Sequence, residues 1–198
     1  MQENKAADRR VQIETAAFGL LALKGYKATS MLEVAKRAHA SNETLYKWYG
    51  NKQGLFLSMI TRTAEAAQET LRHGLTGDQS LWDTLDAAAP LILGMMTGQR
   101  AIVLARAAVG DVHDTGTLGR ALSEMGRGKI VPLLAALIER HAPDDASELA
   151  EVYFDTLVGD LQIRRAMGDI PLLDSQVQAE RTARAARVLR ALLPETAQ

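Results

Sequence analysis

The sequence of 198 residues contains no cysteine, which excludes both disulfide bonds and thiolate metal sites. It also lacks an uninterrupted apolar run near the ~18 residues that a membrane-spanning helix needs. The first ten residues, MQENKAADRR, are polar and hold no apolar core of the signal-peptide kind. These absences predict a cytoplasmic protein.

Common enzyme motifs are missing as well. The histidines at positions 39, 73, 113 and 141 show no metal-ligand spacing such as HExxH. No GxSxG, phosphate-binding loop or dinucleotide fingerprint is present either. Asp111, His113 and Asp114 could imitate an acid–base cluster, but a solvated loop is the simpler interpretation. We therefore expect no enzyme, no metal site and no cofactor.

Strand-like alternation of apolar and polar residues is absent, whereas apolar residues recur every three or four positions. The pattern predicts an all-α chain. Pro90 and Pro132 fall inside two predicted helices and should kink or restart them. Residues 73–78 are predicted to form a linker. The nine predicted helices cover about residues 8–24, 31–37, 42–48, 51–72, 80–98, 99–109, 117–141, 145–167 and 174–193.

The net charge of −1 hides an uneven distribution of charged residues. Residues 1–60 carry nine lysines and arginines against five acidic residues, a net charge of +4 that leaves −5 for the remainder. A basic end on an acidic body favours contact between that end and a polyanion. Ordinary surface charge gives the same imbalance, so the asymmetry alone does not decide.

A short segment in the basic end has the features of a helix-turn-helix. Ser30 and Glu33 have the spacing of a capping box, which would begin a short helix at Met31. After a turn, Ser41 can cap a second helix that Gly50 ends. This second helix mixes aromatics with amide, hydroxyl, carboxylate and lysine side chains. Such a surface suits a DNA groove lined by phosphates.

The run GYKATSMLEVAKRAHASNETLYKWYGNKQGL, residues 25–55, resembles the amino-terminal domain of the TetR family of transcriptional regulators. The resemblance implies a three-helix DNA-binding domain over residues 1–55 and a helical ligand-binding and dimerisation domain over residues 56–198. A helix at about residues 51–72 would connect the two. The matching positions are Gly25, Tyr26, Thr29, Ser30, Val34, Ala35, Ala38, Ser41, Thr44, Leu45, Tyr46, Tyr49, Asn51, Lys52 and Leu55.

The resemblance implies that the helix at residues 42–48 reads DNA. Asn42, Glu43 and Lys47 are the candidate base readers, since an amide can pair with adenine and a carboxylate can accept from cytosine. Glu43 has a simpler alternative role, because a carboxylate in a first turn stabilises the helix through its dipole. We favour that role modestly.

Five further side chains complete the expected DNA-binding set. Thr44, Tyr46 and Lys52 match positions that typically hold phosphates in the family. Ser30 would cap its helix with a phosphate nearby, and Trp48, where the family often has histidine, would touch the DNA backbone or the core.

Two positions in this region depart from the family pattern. His39 and Ala40 replace the usual Gly-Val of the turn, so the turn is expected to be strained at His39. Tyr49 stands for the usual phenylalanine and should pack against the first helix.

The remainder of the chain resembles the family only diffusely. Only three of the nine aromatic residues follow Phe56, so this part of the chain has few residues with which to form an aromatic cage. A flexible, mainly apolar ligand is therefore favoured. The candidate ligand-binding residues are Trp82, Met95, Met96, Leu104, His113, Met125, Tyr153 and Phe154, although such residues are more often core. Two apolar stripes supply the candidate dimer interface: Leu149, Val152, Thr156, Leu157, Val177, Ala183, Ala186 and Leu189.

The expected function is that of a homodimeric repressor that binds a palindromic DNA operator and is released by a small-molecule effector. Two alternatives stay open: an activator of the same fold, and a helical ligand-binding or interaction module without DNA binding. Thr44, Tyr46 and Lys52 argue against the last.

Overall fold

The computed structural model describes residues 2–193, with side chains described from Ala6 onward, and it is all-α over that range. The predicted fold class is therefore confirmed. The eleven helices are α1 (Gln2–Ala28), α2 (Met31–Arg37), α3 (Asn42–Tyr49), α4 (Lys52–Thr76), α5 (Leu81–Thr97), α6 (Gln99–Asp111), α7 (Thr117–Met125), α8 (Arg127–Ile138), α9 (Ala146–Val158), α10 (Leu161–Met167) and α11 (Ser175–Leu192).

Two glycines explain why there are eleven helices rather than the nine expected. Gly126 (φ −82°, ψ −111°) separates α7 from α8, and Gly159 (φ 50°, ψ −132°) separates α9 from α10. Both backbone conformations lie outside the helical region, and glycine adopts them at low cost. Pro90 and Pro132 lie inside α5 and α8. Of the two predicted effects, a kink or a restart, the restart therefore does not occur at either proline.

The end of α4 also differs from the prediction. The helix continues to Thr76, whereas residues 73–78 were expected to form a linker. Gly74 is buried where α4 crosses α5, and a Cβ at this position would overlap the side chain of Thr84. The glycine therefore serves close helix packing here and does not end the helix.

The chain divides into two compact units. The amino-terminal unit comprises residues up to Arg62 together with Val103–Leu122, and the carboxy-terminal unit comprises Thr63–Ile102 together with residues from Ser123 onward. The amino-terminal unit thus runs past the predicted boundary at residue 55. It also takes in a second segment that the sequence division assigned to the other domain.

The core of the carboxy-terminal unit is built mainly by α5, α8, α9 and α11. Their inward faces carry leucine, isoleucine and alanine side chains that are almost entirely buried, among them Leu85, Leu134, Ala150 and Leu189. Among the described residues, no single helix is long and apolar enough to cross a bilayer; only α5 and α6 taken together, bent by 43°, meet that length and composition.

Candidate nucleic-acid interface

Helix α2 begins at the predicted capping box. The Ser30 hydroxyl oxygen accepts a hydrogen bond from the Glu33 amide (3.3 Å), and the Ser30 amide donates back to the Glu33 carboxylate (3.2 Å). Lys24 pairs with the same carboxylate. Its hydrogen bond, followed by that of Ser30, lowers the pKa of Glu33. The start of α2 is therefore fixed by these side-chain contacts together with the burial of Met31.

The turn between α2 and α3 has the strain that the sequence predicts. His39 has a φ of 51°, the one positive φ at a non-glycine residue among those described. Arg9 of α1 donates to the carbonyl oxygen of Ala38 (3.2 Å) and to that of His39. A side chain thirty residues earlier in the chain thus holds the turn, a contact for which the sequence gives no periodic signal.

Helix α3 is anchored on one side and exposed on the other. Ser41 caps it by accepting from the Thr44 amide (3.1 Å), and Leu45 is fully buried beneath it. Gly50, with φ 75°, ends the helix as expected. The opposite side presents four of the predicted DNA-binding side chains to solvent: Asn42, Glu43, Tyr46 and Lys47.

The other four predicted DNA-binding residues already have partners within the domain. Ser30 is engaged in its capping box, and the Thr44 hydroxyl lies 2.7 Å from that of Ser41. Trp48 is half-buried, with the Arg10 guanidinium 5.5 Å from its ring. Lys52 donates to the Tyr26 carbonyl oxygen (3.0 Å), and its ammonium lies 4.1 Å from the Tyr26 ring centre.

The start of α4 packs unusually closely on the end of α3. Asn51 caps α4 by accepting from the Gly54 amide (2.8 Å), as the sequence predicts. A Cβ on Gly54 would overlap the carbonyl oxygen of Tyr49, so only glycine fits without a shift.

Comparison with known protein sequences identifies the type of the amino-terminal domain. The sequence model of the bacterial regulatory proteins of the tetR family matches residues 13–59, which include all of α2 and α3. The uncharacterized HTH-type transcriptional regulator YdeS of Bacillus subtilis is 38% identical over 52 residues, which is 26% of this chain and 26% of that protein. Residues 13–59 therefore form a TetR-type amino-terminal domain.

Solved TetR-type structures match nearly the whole chain in fold. A TetR transcriptional regulator from Agrobacterium tumefaciens is 27% identical with a TM-score of 0.68, and the match covers 96% of each chain. The flavonoid-responsive regulator FrrA is 22% identical with a TM-score of 0.66, over 96% of this chain and 98% of that one. The sequence match to YdeS spans only about a quarter of each protein. The chain thus has the fold of these TetR-type regulators over nearly its whole length.

The segment between α6 and α7 attaches to the TetR-type domain within the amino-terminal unit. Asp111 is fully buried there, whereas the sequence suggested a solvated loop. Its Oδ2 accepts from the Thr115 hydroxyl (2.7 Å) and from the Leu118 amide (3.2 Å). The Gln53 amide group donates to the hydroxyls of Thr115 (3.0 Å) and Thr117. Gln53, which follows Lys52 in the sequence, is therefore hydrogen-bonded to this segment.

The candidate ligand-binding residues are divided between the two units. Leu104 and the exposed His113 belong to the amino-terminal unit. The other six lie in the carboxy-terminal unit, where Met95, Tyr153 and Phe154 are buried and Trp82, Met96 and Met125 are half-buried.

The candidate dimer residues divide in a similar way. Leu149, Leu157 and Leu189 are buried in the core of their own unit, so their side chains are not available to a partner. Ala183 is exposed, and the half-buried members are Val152, Thr156, Val177 and Ala186.

A groove of about 620 Å³ lies between α9 and α11. Its α9 side is acidic, with Glu148, Glu151 and Asp155, and its α11 side carries Arg181 and Arg184. Arg127 pairs with Asp155 and with Glu151 (3.4 Å). Glu148 and Arg184 have no ion-pair partner among the residues that the structure describes. The same described range holds no group of three or more histidine or acidic side chains suited to a metal ion.

Proposed function

We propose that the chain is a ligand-responsive repressor of the cytoplasm that binds a palindromic operator as a homodimer and leaves it when a small-molecule effector binds. The observation that carries the proposal is the exposed side of α3, which presents Asn42, Glu43, Tyr46 and Lys47 on a TetR-family domain. An α-helix of this kind fits the major groove, where each base pair offers a distinct set of donors and acceptors.

In this proposal the side chains divide into base readers and phosphate holders. Asn42 and Lys47 read base edges, and Glu43 either accepts from cytosine or stabilises the start of α3 through its dipole. Tyr46 and Lys52 bind phosphate oxygens, which set register and not sequence. The carbonyl oxygen and ring of Tyr26 hold the Lys52 ammonium in place, so its position is prepared before DNA arrives.

The homodimer is supported by the charge pattern of the groove between α9 and α11. In a two-fold dimer, each surface patch meets its own copy, so residue i contacts residue j and j contacts i. Glu148 and Arg184 line the same groove without an ion-pair partner in their own subunit, among the residues described. A second copy would bring Arg184 to Glu148 twice. Two subunits also match two half-sites, roughly 34–36 Å apart or a multiple of that distance.

Release by an effector is supported by the relatives' fold and by the carboxy-terminal core. FrrA, which shares the fold, is named as a flavonoid-responsive regulator. The candidate effector contacts in the carboxy-terminal unit, which include Tyr153 and Phe154, are mainly apolar. A ligand that prefers the non-binding state by a few kcal/mol is sufficient to shift the equilibrium.

The test is selection of bound duplexes from a random pool with the full-length protein, followed by sedimentation of the protein alone and with the winning duplex. A palindromic winner bound by two subunits, with affinity that falls steeply with salt, is the expected result. Asymmetric winners or a monomer on DNA would contradict the dimeric reader. Binding no better than non-specific would favour the interaction module, and transcription assays on the selected site separate repressor from activator.

A further inference from the structure

The hydroxyl of Tyr153 has no hydrogen-bond partner. Tyr153 lies on α9, and its ring is fully buried in the hydrophobic core of the carboxy-terminal unit. Among the described side chains of the carboxy-terminal unit, this hydroxyl is the one buried polar atom left unpaired. Buried tyrosine hydroxyls usually find a partner, and a native exception calls for a reason.

Other buried polar groups of the same unit are satisfied, which makes the exception specific. The hydroxyl of Thr84 donates to the Ser80 carbonyl (3.0 Å), and that of Thr97 donates to the Leu93 carbonyl (2.7 Å). The buried Arg165 donates to the Thr97 carbonyl (3.0 Å). The described part of the unit therefore pairs its buried side-chain donors, except for the hydroxyl of Tyr153.

The surroundings of the hydroxyl determine which chemical group it can bind. Burial, followed by the negative charge of Asp86, raises the pKa of Tyr153, so the group keeps its proton and acts as a donor. A ligand carboxylate would lose its hydration in an apolar core and would meet the negative charge of Asp86. A neutral oxygen acceptor meets neither cost.

The same core can adapt to an apolar guest. Met95 is buried in it, and Met96 and Met125 pack against it. Methionine is flexible and polarizable, so such side chains refill space around molecules of different shapes. Ala150, one turn before Tyr153, adds a small side chain on the same buried face.

We propose that the Tyr153 hydroxyl is the polar contact for the effector, and that the effector is a neutral, mainly apolar molecule presenting a carbonyl oxygen. This inference rests on the effector-release part of the proposed function. It names a binding residue and a ligand class within that function.

The test uses the full-length protein, the variant Tyr153→Phe and two probes of similar shape, acetophenone and cumene, which differ in the carbonyl group. Affinities are measured by ligand-observed NMR titration. We expect Tyr153→Phe to weaken acetophenone about 3- to 10-fold, the value of one neutral hydrogen bond, and to change cumene less than about 2-fold. Tyr49→Phe removes a buried, unpaired hydroxyl from the other unit and serves as the matched control, with both affinities unchanged.

Stability of the free protein gives a second readout. Since the hydroxyl has no partner to lose, Tyr153→Phe should leave the urea midpoint unchanged or raise it. A lower midpoint would mean that a protein group or a permanent water binds the hydroxyl, and it would overturn the proposal. Equal weakening of the two probes, or no binding of either to the wild-type protein, would also overturn it. DNA binding is measured separately, so a failure to bind operator would count against the regulator and not against this site.

Discussion

Replacing Lys52 with alanine tests the assignment of this side chain to a phosphate. Each phosphate contact that is lost lowers the slope of log affinity against log salt by about 0.9. A homodimer carries two copies of Lys52, so the slope should fall by about 1.8. Between about 50 and 200 mM salt, that difference changes the ratio of wild-type to variant affinity by about 12-fold. Base preference should stay the same, because a phosphate contact carries no sequence information.

The structure adds a second consequence to this substitution. Lys52→Ala also removes the hydrogen bond to the Tyr26 carbonyl and the contact with the Tyr26 ring. For a half-buried group, these are together worth on the order of 1 kcal/mol in the free energy of unfolding. Urea denaturation measures this loss, and DNA must be titrated under conditions where the variant is folded.

The assay is fluorescence anisotropy with the selected duplex at five salt concentrations. Lys129→Ala is the matched control, since Lys129 is an exposed lysine of α8 in the other unit, and its slope should equal that of the wild type. An unchanged slope for Lys52→Ala would refute the phosphate assignment. A changed base preference with the slope intact would mean that Lys52 reads sequence.

Five further substitutions test the dimer surface and the helix-turn-helix. Glu148→Arg and Arg184→Glu should each weaken the homodimer about 10-fold. A mixture of the two variants should form a heterodimer as stable as the wild-type homodimer, which sedimentation equilibrium would detect. If the mixture associates as weakly as each variant alone, the pairing is refuted. Gly54→Ala should lower the free energy of unfolding by about 1–3 kcal/mol in urea denaturation, because its Cβ overlaps a backbone oxygen. His39→Gly should raise it by up to about 1 kcal/mol by relieving the positive φ, and a loss would contradict the strain. Glu33→Gln should remove the part of the free energy of unfolding that the wild type loses as the pH falls through the lowered pKa of Glu33, so stability measured against pH in the acid range should give a flatter curve.

Local signals made the helix-turn-helix predictable. The capping box placed α2 at Met31–Arg37 as observed, and Ser41 and Gly50 located both ends of α3. These residues act on their immediate neighbours in the chain, so a short stretch of sequence is enough to predict their effect on the helix ends. For the same reason the strained turn at His39 followed from one residue.

Contacts between distant segments were not predictable. Periodicity marks Leu157 and Leu189 as apolar without telling the core of a subunit from its outer face. Gly74 looked like a linker residue, because the sequence does not show that α5 crosses it at Thr84. Gly126 and Gly159 each sit in a long apolar pattern, where a single glycine is often tolerated inside a helix.

The attachment of residues 103–122 to the amino-terminal unit affects the building of chimeric regulators. A designer who joins a foreign effector domain at residue 55 would discard Thr115 and Thr117, the two hydroxyls that receive the Gln53 amide. Lys27 would also lose the Asp114 carboxylate, 3.4 Å away. A chimera that keeps the operator preference of this protein therefore has to contain two segments of its chain: the first sixty-odd residues and the segment around Asp111.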